Sequence, residues 1–272
     1  MNPYLPIRKV PLDFEGISSS AYSVQTERPP KPTKDGMSMT IPEWKEAGVV
    51  GHSYLLIPNQ EVKDLVDQLT TATPWQWNIV REFFDGKRYV YTLATKDLTH
   101  EVEVGDSIGL GINAWNSYDG SVSFPLRFMA YRLICLNGMT SNDAFFQYRF
   151  KHDKSSEGYA EEIDKAGKLF DNADTRLSNF CQRSKNLLKP MPIKELMDIR
   201  MNYLRDLPVG TWGKVADKLF TDKLKERESH FKAWDLMNAA TSVLWHNEKP
   251  TVSDYKHNQY CVDNLLRYGG EA

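Results

Sequence analysis

The alternation of residue types over residues 108–115 constrains the fold more than any other feature of the sequence. Every second residue there is aliphatic or alanine, and the residues between them are glycine, asparagine or tryptophan. A period of two is typical of a β-strand. Asp119-Gly120 follows a few residues later and is a strong signal for a tight hairpin turn. We therefore predict an antiparallel sheet in which this strand leads into a turn.

A helix is predicted directly after this turn. Pro125 suits a first helical position, where the missing N–H is not needed. The residues that follow place apolar side chains at helical spacing. Asn137-Gly138 suits the end of such a helix because both residues tolerate left-handed backbone.

Upstream residues predict a helix and a second hairpin. Residues 49–57 resemble a strand, and Asn59 is placed to cap a helix with one apolar face. Residues 75–84 and 88–95 alternate around Asp85-Gly86-Lys87, which predicts a hairpin. The N-terminal half is therefore expected to be an antiparallel β-meander with a packed helix, and the fold class to be α+β.

The C-terminal half changes to helical periodicity. Apolar or small residues step by four and three from Tyr159 to Leu187, which predicts one long heptad-patterned helix over about residues 156–188. This helix either packs on later helices of the chain or forms a coiled coil with a partner. Further helices are predicted from Pro192 and over residues 211–220, 231–245 and 252–267.

Three regions are expected along the chain. Residues 1–42 hold seven of the fourteen prolines and predict an extended or disordered arm, with docking on a neighbouring subunit as the alternative. Residues 43–150 are expected to form an α+β core domain, and residues 151–272 a helical domain or subdomain.

Composition limits the class of protein. The formal net charge of −2 does not indicate a general nucleic-acid binder, so any such activity needs a local patch. Three cysteines without a Cys-x-x-Cys pair disfavour a disulfide framework or a thiolate zinc site. No apolar run approaches the length of a membrane span, and no signal peptide is recognised. We expect a cytoplasmic protein, in a host cell if a phage encodes it, without membrane contact.

Sequence motifs for catalysis or cofactors were not found. The chain lacks a phosphate loop, a Gly-x-Ser-x-Gly elbow and a His-Glu-x-x-His zinc motif. We expect no enzyme activity and no cofactor. Asp119 is interpreted as a turn residue. The alternative is a magnesium ligand of a nuclease, together with acids between Glu101 and Asp106.

Two stretches resemble the phage/plasmid-like protein family, a domain family of unknown function found on phages, prophages and plasmids. The first stretch contains Asn116-Ser117-x-Asp119-Gly120-Ser121 and then Arg132-x-x-Cys135-x-Asn137-Gly138. The second is Ala233-Trp234-x-Leu236-x-Asn238-Ala239-x-Thr241, followed by His246. The resemblance implies a mobile-element origin and no particular reaction. The polar residues in both stretches are interpreted as turn, cap and structural residues.

The order of helix, meander and basic helix is also similar to the core of the single-strand annealing proteins, which include the eukaryotic recombination mediator and phage annealing proteins. That resemblance implies a homo-oligomeric ring or filament that holds single-stranded DNA in a basic groove between hairpin and helix. Aromatic side chains beside cations suit such a groove, because rings stack on bases while cations contact phosphates. The predicted phosphate contacts are Arg81, Lys87, Arg88, Arg127 and Arg132, and the predicted stacking residues are Tyr89, Tyr91 and Trp115.

The leading hypothesis is thus a phage or mobile-element protein that binds single-stranded DNA and promotes annealing and recombination. One alternative is a protein-interaction, structural or anti-defence protein with a phage or host protein partner. A metal-dependent nuclease is a third. Arg132 also has its own alternative, an ion pair with an acid of the fold.

Overall fold

The computed structural model describes residues 2–12, 21–28, 43–145, 147–150, 166–168, 170–226 and 230–271. Two antiparallel sheets occupy the N-terminal half, and helices dominate the C-terminal half. The predicted α+β class is confirmed. Among the described residues, every helix is too short or too polar to span a lipid bilayer.

A small sheet precedes the main one. Its strands are β1 (Ile7–Pro11), β2 (Ala21–Arg28) and β3 (Glu43–Gly51), in the order β1-β2-β3. Two segments of the predicted N-terminal arm are therefore paired strands. β1 pairs with β2 and β2 pairs with β3, although the sequence of β1 and β2 shows no apolar alternation.

The main sheet has six strands in the described chain. They are β4 (Trp77–Phe84), β5 (Arg88–Glu103), β6 (Asp106–Ser117), β7 (Phe124–Arg132), β8 (Asn137–Met139) and β9 (Gln147–Phe150). The order is β4-β5-β6-β7, after which β7 divides its outer edge between β8 and β9. The predicted hairpins around Asp85-Gly86 and Asp119-Gly120 are both present.

The predicted helix after Pro125 is wrong, because this segment is strand β7. Leu126, Phe128 and Ala130 face one side of the sheet, and Met129 and Tyr131 face the other. Both sides are covered, so both sets of side chains are apolar. A continuous apolar run of this kind does not distinguish a buried strand from a helix by periodicity.

The helices are α1 (Asn59–Thr71), α2 (Ala173–Lys185), α3 (Ile193–Asn202), α4 (Val209–Glu226), α5 (Ala233–Trp245) and α6 (Val252–Glu271). Two 3₁₀ turns flank α2, at Phe170–Asn172 and Asn186–Leu188. A two-stranded pair, β10 (Pro190–Met191) with β11 (Phe231–Lys232), completes the described elements.

The long heptad helix is only partly found. The second half of the heptad pattern is α2, where Ala173, Leu177, Phe180 and Ser184 are all buried against the rest of the chain. The helix does not continue upstream through residue 170, since a 3₁₀ turn precedes it. Residues 151–165 of the predicted helix lie outside the described residues.

The two faces of the main sheet pack differently. We call the side that carries Tyr91 and Ile112 the α1 face; it packs on α1 and α2 in one large apolar core. We call the side that carries Asn113 and Trp115 the α6 face. It packs on the end of α5 and the start of α6 in two small, separate clusters, around Trp245 and Tyr255.

Candidate functional site

The predicted stacking residues are buried. Tyr89 and Tyr91 lie under α1, with their rings stacked at 6.2 Å between centroids. Their hydroxyls donate to Glu82 at 2.7 Å and to Asp67 at 2.9 Å. Burial, helped by these carboxylates, raises the pKa of both phenols. In this structure neither ring is available to a nucleic-acid base, which corrects the predicted role.

Trp115 is buried on the opposite, α6 face. Its indole N–H donates to Asn113, and its ring meets Tyr255 edge to face, with 5.9 Å between centroids. The three predicted stacking rings therefore lie on two different faces, and all are in the interior. The strand alternation showed which rings share a face. It could not show that helices cover both faces.

Arg132 forms an ion pair, which was the alternative for this residue. Its guanidinium donates two hydrogen bonds to Asp106, at 2.7 and 2.6 Å, and the Trp234 indole donates to the same carboxylate at 2.8 Å. Burial works against the charged guanidinium, but Asp106 and Cys135 together outweigh it and raise the pKa of Arg132. The predicted phosphate contact is corrected, because this cation is already neutralised.

The two stretches that resemble the phage/plasmid-like family meet in space at this point. His246 donates through Nε2 to Asn137 at 2.7 Å, and Asn137 donates to the Asn238 carbonyl at 3.3 Å. A Cβ on Gly138 would lie 2.6 Å from the Trp245 ring, which explains why glycine is required there. These residues hold the β7–β8 turn against α5, so their structural interpretation fits the geometry.

The residues of the first stretch also stabilise local structure. Asp119 accepts a hydrogen bond from the Ser121 backbone N–H at 2.9 Å, and Gly120 has a φ of 70°. The buried Asn116 side chain donates to Ile57 and Asn59 at the start of α1. The Ser121 contact fits a turn role for Asp119, and the Asn116 contacts fit a structural role for that residue.

Lys87 and Arg88 lie in and after the β4–β5 turn. Lys87 is exposed, and Asp85 accepts hydrogen bonds from the backbone N–H groups of both residues. The Arg88 side chain is half-buried, with its Nε 3.9 Å from Asp85. Of these two residues, only Lys87 has an exposed, positively charged side chain.

The side chains that the structure brings together form a polar row across the α6 face. Arg81 pairs in register with Thr92, Thr92 with Asn113, Asn113 with Arg127, and Arg127 with Gln147. This row separates the two small apolar clusters of that face. Sequence reasoning selected Arg81 and Arg127 but missed the other three, because strand register is not encoded in local periodicity.

Arg81 and Arg127 have different partners within the polar row. Arg81 donates to the carbonyls of Trp245 and Asn247 and lies over the Trp245 ring, so it anchors the α5–α6 connection. Arg127 donates through Nε to Gln147 at 2.8 Å and lies 4.2 Å from the centre of the Tyr255 ring. Burial lowers the pKa of both guanidinium groups. Within the described chain, no carboxylate forms an ion pair with Arg127.

The more accessible rings line clefts that are not basic. Trp75 is shared by two clefts beside α1, of about 580 and 430 Å³. Each cleft is lined by one carboxylate and one lysine, Asp171 with Lys168 in the first and Asp67 with Lys63 in the second. Neither lining has the excess of positive charge that attracts a polyanion.

The predicted nuclease alternative would require several side chains that converge on a metal ion. Within the residues that the structure describes, no group of three or more His, Cys, Asp and Glu side chains is arranged to hold a metal ion. Asp119 caps its own turn, and Asp106 is engaged by Arg132.

A family model for a domain of unknown function, DUF932, matches residues 46–265. The chain belongs to this family. The match runs from within β3 into α6 and so includes the whole main sheet and the polar row. Searches of curated proteins and of solved structures gave no match.

Proposed function

We propose that the protein is a non-enzymatic assembly protein of a phage or plasmid, and that two copies associate through the outer face of α3. The mobile-element origin rests on the resemblance of the two stretches around Asn116 and Trp234. The association rests on one observation, the apolar outer face of α3.

The outer face of α3 exposes three large apolar side chains in a line. Ile193, Met197 and Met201 are 56%, 54% and 67% exposed, and they are spaced four residues apart. The opposite side of the same helix buries Leu196 and Ile199 in the core. A surface helix normally has one apolar side, so a second one indicates a contact surface.

The charges beside this stripe favour a second copy of the same chain as the occupant. Lys194 and Asp198 lie one position after Ile193 and Met197 and are both exposed. Neither forms a salt bridge with another described residue. When two α3 helices pair antiparallel about a twofold axis at the level of residue 196, Lys194 of each copy faces Asp198 of the other. This reciprocity is the requirement of an isologous interface.

The test is the mass of the protein in solution over a range of concentrations. We expect a dimer or larger assembly for the native chain and a monomer for Met197→Glu, because the new carboxylate is placed in an apolar contact. Val49→Glu is the matched control, since Val49 is 51% exposed and lies on β3 of the small sheet. A native chain that stays monomeric, or an assembly that survives Met197→Glu, contradicts the proposal.

Single-strand DNA binding that promotes annealing is the second candidate. It is favoured by the exposed Lys87 and by Arg127, whose charge no described carboxylate neutralises. Binding to a labelled single-stranded oligonucleotide should weaken steeply with salt, because counterions are released from phosphates. It should also fall in Lys87→Ala and Arg127→Ala without unfolding. Cleavage of the oligonucleotide only with magnesium would instead indicate the nuclease.

A further inference from the structure

The surroundings of Arg127 contain a second cation. Arg149 follows Gln147 by two residues on β9, so both side chains point to the α6 face, beside Arg127. Arg149 is exposed, and its positive charge repels that of Arg127. Burial, and then this repulsion, lower the pKa of Arg127. Neither arginine has a salt-bridge partner among the described residues.

The Tyr255 hydroxyl is the third group at this place. Tyr255 is 8% exposed, its ring lies against the Arg127 guanidinium, and its oxygen is buried without a hydrogen bond of normal geometry. Thr140 is a near neighbour of the hydroxyl. The charged groups that act on it are Arg127 and Arg149 and, with opposite sign, Asp263.

Asp263 does not neutralise the two arginines. Its carboxylate accepts hydrogen bonds from the Ser141 hydroxyl at 2.5 Å and the Asn142 backbone N–H at 3.3 Å. A guanidinium cannot shed its charge by deprotonation in a protein. A half-buried cation without a partner is destabilising, and a bound anion removes that cost.

We propose that Arg127, Arg149 and the Tyr255 hydroxyl form a binding site for a phosphate group. The guanidinium of Arg127 supplies a planar fork of donors suited to phosphate oxygens, and Gln147 fixes its orientation through Nε. The phenol supplies a donor from a different direction. A tetrahedral phosphate can use both directions, whereas a planar carboxylate presents only two oxygens in one plane. This site is independent of association through α3.

The phosphate can belong to a free ion, a mononucleotide or a nucleic-acid backbone. Calorimetric titration with each of three probes distinguishes them: inorganic phosphate, a nucleoside monophosphate and a short single-stranded oligonucleotide. Sodium acetate at equal ionic strength serves as the carboxylate probe. We expect heat of binding with at least one phosphate probe and none with acetate.

Two variants locate the site without disturbing the core. Arg149→Gln removes an exposed charge, and Tyr255→Phe keeps the ring while removing the hydroxyl. Each should weaken phosphate binding by about tenfold, which corresponds to about 1.4 kcal/mol. Lys96→Gln is the matched control, because Lys96 is an exposed cation of β5 in the same sheet, and it should leave the affinity unchanged.

The outcomes show which molecule supplies the phosphate group and whether the site exists. Binding of the oligonucleotide alone, lost in both variants, assigns the site to a nucleic-acid backbone. Binding of inorganic phosphate or the mononucleotide, lost in both variants, assigns it to a small ligand. The proposal is overturned by no binding of any phosphate probe, by equal binding of acetate, or by an affinity that neither variant changes.

Discussion

Arg127 and Arg132 lie on the same strand, five residues apart, and therefore point to opposite faces of the sheet. On the α1 face, Arg132 is held by Asp106 and lies near the Trp234 ring. On the α6 face, Arg127 has an amide and a phenol ring as its neighbours. The same residue type is thus a structural element on one face and an unsatisfied charge on the other. The difference locates the candidate site on the α6 face.

The largest expected loss of stability comes from removing the ion pair between Arg132 and Asp106. Arg132→Met leaves Asp106 buried without its cation and should lower the free energy of unfolding by about 3–5 kcal/mol. Urea denaturation measures this directly. Asp174→Ala is the control, since Asp174 pairs with His100 at the surface and should change stability by at most about 1 kcal/mol. Equal losses in the two variants would contradict the account of Arg132.

The same substitution on the other face should behave differently. Arg127→Met removes a half-buried charge that has no carboxylate partner, so the free energy of unfolding should stay within about 1 kcal/mol of the native value or rise. Denaturation in phosphate-free buffer is required, because a bound anion would stabilise the native chain alone. A loss as large as that of Arg132→Met would show that Arg127 is structural.

A smaller loss of stability is expected when the pH is raised into the range in which tyrosines ionise. Burial raises the pKa of Tyr131 on the α6 face to about 12, and it raises the pKa of Tyr89 and Tyr91 on the α1 face further. Each folded-state pKa lies above the ordinary value of 10, so the protonated phenols stabilise the folded state. This stabilisation is complete below pH 10 and is lost as the pH rises through the folded pKa.

The measurement for this third prediction is the urea midpoint at about pH 9 and about pH 11. The midpoint should fall between the two, and Tyr131→Phe should reduce the fall only in part, since the tyrosines of the α1 face remain. Complete loss of the pH dependence in Tyr131→Phe would place the whole effect on the α6 face and contradict the comparison.

Much of the secondary structure follows from local sequence, and the exceptions have two causes. The β4–β5 hairpin was predicted from its Asp85-Gly86 turn, and α1 was predicted because one of its sides is buried and the other is exposed. The helices after residue 190 were predicted from apolar residues at helical spacing. Strand β7 is covered on both sides, so its alternation disappears into a continuous apolar run. Strands β1 and β2 depend on pairing with each other and, for β2, with β3, and local sequence does not specify these pairings.

The candidate site was predictable only in its residue types. Arg81 and Arg127 stood out as cations, but their neighbours Thr92, Asn113 and Gln147 come from three other strands. Their alignment depends on the register, including the bulge between Ile79 and Arg81. Tyr89 and Tyr91 were correctly placed on one face, but the helix that covers that face is distant in sequence.

The division of the outer edge of β7 between β8 and β9 bears on whether two molecules can join through the edges of their sheets. A long, uninterrupted strand edge offers unpaired backbone groups to the same edge of another molecule and can start fibril growth. Here that edge is occupied by two short strands, one pairing with residues 130–132 and the other with residues 124–127. Over the residues that the structure describes, each is too short to template an extended intermolecular ladder, which disfavours edge-to-edge aggregation on this side of the sheet.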